Sequence, residues 1–522
     1  MSASIGKRLL IIGAATAVAV SGVAAPAYAG GSRPSPGSAG LGDRLYPLNG
    51  NGGYDVQNYD LHLTYPEKDP KQAVLGDVTI SAVATQSLSR FDLDFGGNTV
   101  AHVSVNGHPA GFTRDGGELV VTPRRYLPKG HRFTVTVSGF TATPIEANAD
   151  SPVGFVTTQD GTVLAGQPDS SHLLFPSNDH PRDKATYTIT LTEPVGWTGT
   201  ANGVLVANKV RDGYVSSTYR ESKPMASELV QVAVGDFVVQ KGPSVDGVAI
   251  RDVVPRRLAS TLLARTGQEQ SQITWLESKV GRYPFEDYGS LVIDANLGFA
   301  LETQTLSLYD TGLFRAPEFV LGPVMTHELT HQWFGDRVAP WSWSDVWQNE
   351  GHATWYELLY SEETGGFQQY TGYPDRVSYF KAVYAAGDRY RARYGPVAAP
   401  LDSTSVWDVF NPNVYDGGAL VLYALQQKIG VAKFEQVERA WVSVYRGKSA
   451  SSQDFMALAS KVAHQNLRPF LTQWLYGTST PPMPGHPDWT VTPVPAPGAA
   501  ATLAAPVDPA VQHHQYFAPT GK

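Results

Sequence analysis

His327-Glu328-Leu329-Thr330-His331 is the stretch from which the rest of the chain is read. Pro323 stands where a helix opens and Gly335 where one ends, so the pentapeptide is expected on a helix. Residues four apart leave the same helix face. Both imidazoles therefore point one way, as two nitrogen ligands on a single Zn²⁺ require. Glu328 sits on the adjacent edge, placed to act on a water without ligating the ion.

The partner to this helix lies further on. Trp347-Gln348-Asn349-Glu350-Gly351-His352-Ala353 places a carboxylate after 18 intervening residues, and the run to Tyr360 reads as a second helix stopped by Gly365-Gly366. Packed on the first helix, it aims Glu350 at His327 and His331. Two histidines and one glutamate leave a metal position open, as catalytic zinc sites do. Hard, oxygen-seeking ions would not select two imidazoles. His352, two residues past Glu350, points elsewhere and is read as structural.

Composition narrows the class. The chain has 522 residues, 42% of them hydrophobic and only 17% charged, with a net charge of −8. That balance gives no reason to expect nucleic-acid or anionic-membrane binding, both of which demand basic patches. There is no cysteine, so disulfides, thiolate ligands and a cysteine nucleophile are all excluded. Lys7 and Arg8, the apolar run from Leu9 to Ala25 and the small residues of Ala27-Tyr28-Ala29 read as an export signal over residues 1–29. Its removal would take away two positive charges and leave −10. Secretion is expected, with no later run long enough to span a bilayer.

Residues 30–44 are rich in Gly, Ser and Pro and read as a flexible leader. From 45 to 240 the pattern alternates. Tyr59, Leu61, Leu63 and Tyr65 are one such set; Phe91, Leu93 and Phe95 are another; Phe133, Val135 and Val137, and Tyr187, Ile189 and Leu191, repeat it. Asn106-Gly107 marks a hairpin. This predicts an antiparallel β domain. From 241 to 480 helical periods dominate, over Leu258–Val280, Ala419–Ile429 and Lys433–Val444, with a short strand near Leu291–Ile293. The class is α+β. Residues 481–522 read as a Pro- and Ala-rich irregular tail.

These residues resemble the gluzincin zinc aminopeptidases of the alanyl-aminopeptidase and leukotriene-hydrolase type, whose pattern is H-E-x-x-H, eighteen residues, then E in an N-E-G context. The resemblance spans roughly 45–480. It implies a saddle-like N-terminal β domain, a thermolysin-like catalytic domain, one Zn²⁺ and peptide substrates with a free N-terminus. The family's G-x-M-E-N segment is matched by Gly298-Phe299-Ala300-Leu301-Glu302-Thr303, with Thr for Asn and Phe for Gly. It assigns Glu302 to the substrate's amine and the Ala300 segment to peptide pairing. Gln167, in Gly166-Gln167-Pro168, matches a glutamine that reaches the same amine. Tyr415, opening Tyr415-Asp416-Gly417-Gly418-Ala419, matches the oxyanion-stabilising tyrosine. Glu328 is then the general base. The helical-repeat domain of longer members has no counterpart after 480, which implies a more open cleft. A monomer is expected. A thermolysin-like endopeptidase and an inactive exported peptide-binding protein stay open as alternatives, and nothing selects an epoxide-directed side activity.

Overall fold

The computed structural model describes residues 33–146, 153–295 and 297–493. The export signal at 1–29 and the part of the tail from 494 on lie outside the described residues. From Pro34 on, the described residues form one compact unit.

The alternating sequence folds as its period demands. An eight-stranded sheet runs, in spatial order, through strands 204–211, 214–225, 185–194, 54–64, 74–84, 132–142, 102–105 and 108–109. Its neighbours are antiparallel except strand 185–194, which pairs in parallel with 54–64 from Thr186–Asn58 to Thr192–Thr64. Inward positions of these strands share a core with a four-stranded sheet built on strand 88–94. Tyr59 stacks on Tyr187 within it, and Phe91 packs between Tyr54 and Phe133. The hairpin at Asn106-Gly107 has both residues at positive φ, 51° and 74°, the two-residue turn that asparagine and glycine permit.

A five-stranded sheet carries strand 161–165 to Gln167, and a further sheet orders strands 237–241, 249–255, 290–293 and 307–310. Leu301 bridges to Leu308 beyond the last of these. One apolar cluster spans both sheets, with Val163 and Ala233 from one and Val253, Leu291, Leu301 and Leu308 from the other. This cluster sets the β half beside the Glu302 segment.

The helical half contains α1 (Glu269–Val280), α2 (Glu318–His331), α3 (Trp347–Glu363), α4 (Arg376–Tyr394), α5 (Pro412–Ile429) and α6 (Val431–Val444). The helix expected over Leu258–Val280 is divided: short turns reach Arg265, and α1 opens only after Gly267. Pro323 is not in the first turn of its helix but inside it, and α2 stops at His331, short of Gly335. Packing on every side carries the proline, since all residues of α2 from Val320 on are buried. α5 starts earlier than its periodicity suggests, at Pro412, behind an Asn411 side chain that accepts from the Asn413 N–H.

Both expected irregular ends pack where they are described. Asp43, read as the end of a flexible leader, is 3% exposed; it accepts from Trp343 N at 2.7 Å and lies 3.2 Å from His180 Nε2. At the other end Trp489 is buried and stacks on His486, whose Nε2 meets Tyr423 Oη at 2.8 Å.

Candidate metal centre

α2 and α3 pack side by side and deliver the three expected ligands to one point. His327 Nε2 and His331 Nε2 lie 3.3 and 3.4 Å from Glu350 Oε2. One ligand atom from each residue lies within 4.8 Å of the others, and all three residues are buried. Bonds of 2.0–2.1 Å to a tetrahedral Zn²⁺ put neighbouring ligand atoms about 3.3–3.4 Å apart. The observed spacing fits that edge.

The outer nitrogens fix the rings. His327 Nδ1 meets Glu357 Oε2 at 2.8 Å, and His331 Nδ1 lies 3.1 Å from the Phe334 carbonyl. A proton on each Nδ1 satisfies these acceptors and leaves each Nε2 lone pair turned inward. Tyr370 donates to the other oxygen of Glu357. Glu357, the carboxylate that orients the His327 ring, was missed by the sequence reading. It stands seven residues after Glu350, two helical turns along the same face, and that spacing was the available signal.

Charge reinforces the geometry. Burial would push the Glu350 carboxyl up, but the charges and hydrogen bonds of His331 and His327 outweigh it and hold it at about 2. Burial likewise pulls His331 down, and Glu302 and Glu350 outweigh it and hold it at about 9. Such a cluster exchanges ring protons for a cation when a metal enters. Burial pushes Glu328 up to about 8 against the pull of His327 and His331. Its Oε2 is buried with no hydrogen-bond partner, and Glu328 forms a second close group with Glu302 and His331.

The remaining expected residues gather at the same place. Glu302 Oε1 lies 4.0 Å from His331 Nδ1 and accepts from Gln167 Nε2 at 2.7 Å. The residue after the second histidine, Gln332, donates to the Glu302 carbonyl at 3.2 Å and accepts from Thr305 N at 2.9 Å. It ties the strand segment to the metal helix, and sequence reading missed it too. Leu301 spends both its N–H and its carbonyl on Leu308. The backbone groups of Ala300 therefore face the other way, outward from the sheet edge. Thr303, in the place of the family's Asn, turns its hydroxyl away to Gln231 and the Leu306 carbonyl.

Tyr415 stacks on His327 with ring centroids 5.9 Å apart and hydrogen-bonds Glu350. Burial and the carboxylates of Glu350, Glu302 and Glu328 keep its hydroxyl protonated. α5 reaches this position because Gly351 of α3 meets Gly418 of α5. A Cβ on Gly351 would stand 2.8 Å from the Gly418 carbonyl carbon. His352 stays outside the cluster, stacked on Phe334 at 4.3 Å with Nδ1 2.6 Å from the Gln348 carbonyl.

Residues 269–474 match the family model described as the peptidase family M1 domain. Over 347 residues the chain is 26% identical to a glutamyl aminopeptidase of Rattus norvegicus, a match covering 62% of this chain and 36% of that protein. The chain thus spans about a third of the length of the curated relatives it matches. Among solved structures, an M1 zinc metallopeptidase mutant of Deinococcus radiodurans bound to a Tyr-Ser-Ala substrate superposes with a TM-score of 0.72 at 29% identity, covering 85% of this chain and 99% of that one. A two-domain M1 zinc metallopeptidase mutant bound to L-tryptophan gives 0.71 at 30% identity with the same coverage.

Proposed function

Because this chain belongs to the peptidase M1 family, we propose that it is a zinc aminopeptidase that hydrolyses the first peptide bond of substrates with a free N-terminus. The observation that carries this reading is the Glu302 carboxylate. It is buried, held by Gln167, and 4.0 Å from a metal-facing histidine. A carboxylate so placed holds a cationic amine at a fixed distance from the ion, so that only the first carbonyl reaches it.

Zn²⁺ held by His327, His331 and Glu350 would supply Lewis acidity to that carbonyl and to the attacking water. Glu328, with its free Oε2, takes the water's proton and returns it to the leaving amine. The protonated Tyr415 hydroxyl donates to the oxyanion as charge develops on it. Ala300's outward backbone pairs with the extended peptide. Glu357 and the Phe334 carbonyl hold the two rings in the ligating tautomer.

The same reading keeps a boundary near residue 240 between the β half and the metal-bearing half. It also takes the protein as exported, on the strength of the basic-apolar-small order of residues 1–29, and as a monomer. No helix among the described residues is long and apolar enough to cross a membrane.

The test is a panel of free and N-acetylated aminoacyl-amides, with and without a zinc chelator. Cleavage of the free-amine series alone, lost with chelator, supports the reading. Equal cleavage of acetylated substrates would replace it with an endopeptidase.

A further inference from the structure

The outer edge of the β half carries a charge that the rest of the chain does not predict. A cavity of about 440 Å³ opens between the 102–109 hairpin, the 123–128 loop and the start of strand 132–142. Its volume falls in the roughly 300–1,000 Å³ range of small-ligand sites. Arg124, Arg125 and Arg132 stand on its rim with His108 and His131, and no acidic residue lines it. The chain as a whole is at −8. Some arginines elsewhere carry an ionic partner, as Arg90 does in Asp92 and Arg257 in Asp160. None of the three rim guanidinium groups has an ionic partner among the described residues.

The floor is apolar, made of the buried Val105, Leu127 and Phe133. Tyr126 stands beside it, 51% exposed. The loop that carries Arg124, Arg125 and Tyr126 is held at both ends. Pro123 fixes one end, and Leu127 exchanges two backbone hydrogen bonds of 2.8 Å with Leu88 at the other. The loop backbone that carries the cations is thus held in place.

We infer that this cavity is a binding site for an acidic oligosaccharide, separate from the peptide site. Guanidinium groups match carboxylate and sulfate in a planar fork. An exposed tyrosine ring beside an apolar floor suits the flat, partly apolar face of a sugar ring. The rim is open to solvent, which suits a segment of a longer chain.

Binding of the full chain to four probes of equal length tests this by titration calorimetry. The probes are a sulfated heparin oligomer, an oligogalacturonate, a neutral dextran oligomer and a hexaglutamate peptide. Both acidic sugars should bind, more weakly as salt rises, and dextran should not. The Arg124→Ala/Arg125→Ala double variant should weaken binding about tenfold, as two partly exposed charge pairs would. Tyr126→Ala should weaken it as well, and neither variant should alter aminoacyl-amide turnover. No binding of either sugar, unchanged binding by the double variant, or hexaglutamate binding more tightly than the sugars would each overturn the assignment. So would insensitivity to Tyr126→Ala, because charge alone would then account for the binding.

Discussion

Replacing Glu302 by Gln isolates the feature on which exopeptidase action rests. The side chain keeps its size, and its amide oxygen can still accept from Gln167 Nε2, now at 2.7 Å. Gln332 holds the backbone at this point through the Glu302 carbonyl, which the substitution leaves in place. The three ligand side chains are unchanged, so zinc content should be too. What is lost is one negative charge, 3% exposed, that would meet the substrate ammonium. Removing one partner of a desolvated charge pair costs about 2–4 kcal/mol, so kcat/KM on free-amine aminoacyl-amides should fall roughly 30- to 1,000-fold. Most of the loss should appear in KM, because the contact exists before the transition state. Metal content by elemental analysis and far-UV circular dichroism serve as controls. If Glu302→Gln holds full zinc and cleaves within about threefold of the parent, the amine anchor lies elsewhere and the exopeptidase argument fails with it.

Three further outcomes follow from the same geometry. Tyr415→Phe removes the oxyanion donor but keeps the ring stacked on His327, so kcat should drop about 100- to 1,000-fold with KM little changed; a matching rise in KM instead would make Tyr415 a binding residue. Glu357→Gln takes the charge from the His327 Nδ1 partner and should weaken zinc about 10- to 100-fold in a competitive chelator titration, while unchanged affinity would deny it that role. His172 gives a pH dependence in the β half. Burial pulls it down, but its hydrogen bond to Asp179 and nearby carboxylates outweigh burial and raise it to about 9. A folded value above the ordinary one of about 6.5 means its stabilisation is complete below that pH and is lost as pH rises towards 9. The melting temperature should therefore fall across that window, and His172→Gln should flatten the fall.

The sequence exposed what is fixed by short spacing and concealed what is fixed by distant partners. His327, Glu328 and His331 share one helix, and Glu350 opens the next, so period and separation sufficed. Glu302, Gln167 and Tyr415 came from resemblance, and the structure brings all three to the metal-ligand cluster. The first part of the tail is irregular as its composition implies, but composition, which describes a segment's own preferences, carried no sign that it or the leader would pack. Asp43 is held by Trp343, 300 residues away, and Trp489 by the rings of Tyr423 and His486. Pro323 was misplaced for the same reason: tertiary burial of α2 overrides a local rule. Thr266 and Gly267, which interrupt Leu258–Val280, were the opposite case, a local signal left unused.

Glycines and a glutamine explain why the site is one object although its residues are 248 positions apart, from Gln167 to Tyr415. Gly351 and Gly418 remove the side chains that would hold α3 and α5 apart, so Tyr415 reaches Glu350. Gln332 follows the second histidine directly and bonds to both Glu302 and Thr305, so the amine-binding segment takes its position from the metal helix. Any shift of α2 therefore moves the two histidines and the Glu302 segment together. On the proposed mechanism, the distance from the substrate amine to the metal is then set partly by this one side chain. Gln332→Ala should blur that distance without touching a ligand, and cleavage should slow most on the shortest substrates, which have only the amine and Ala300 contacts to align them.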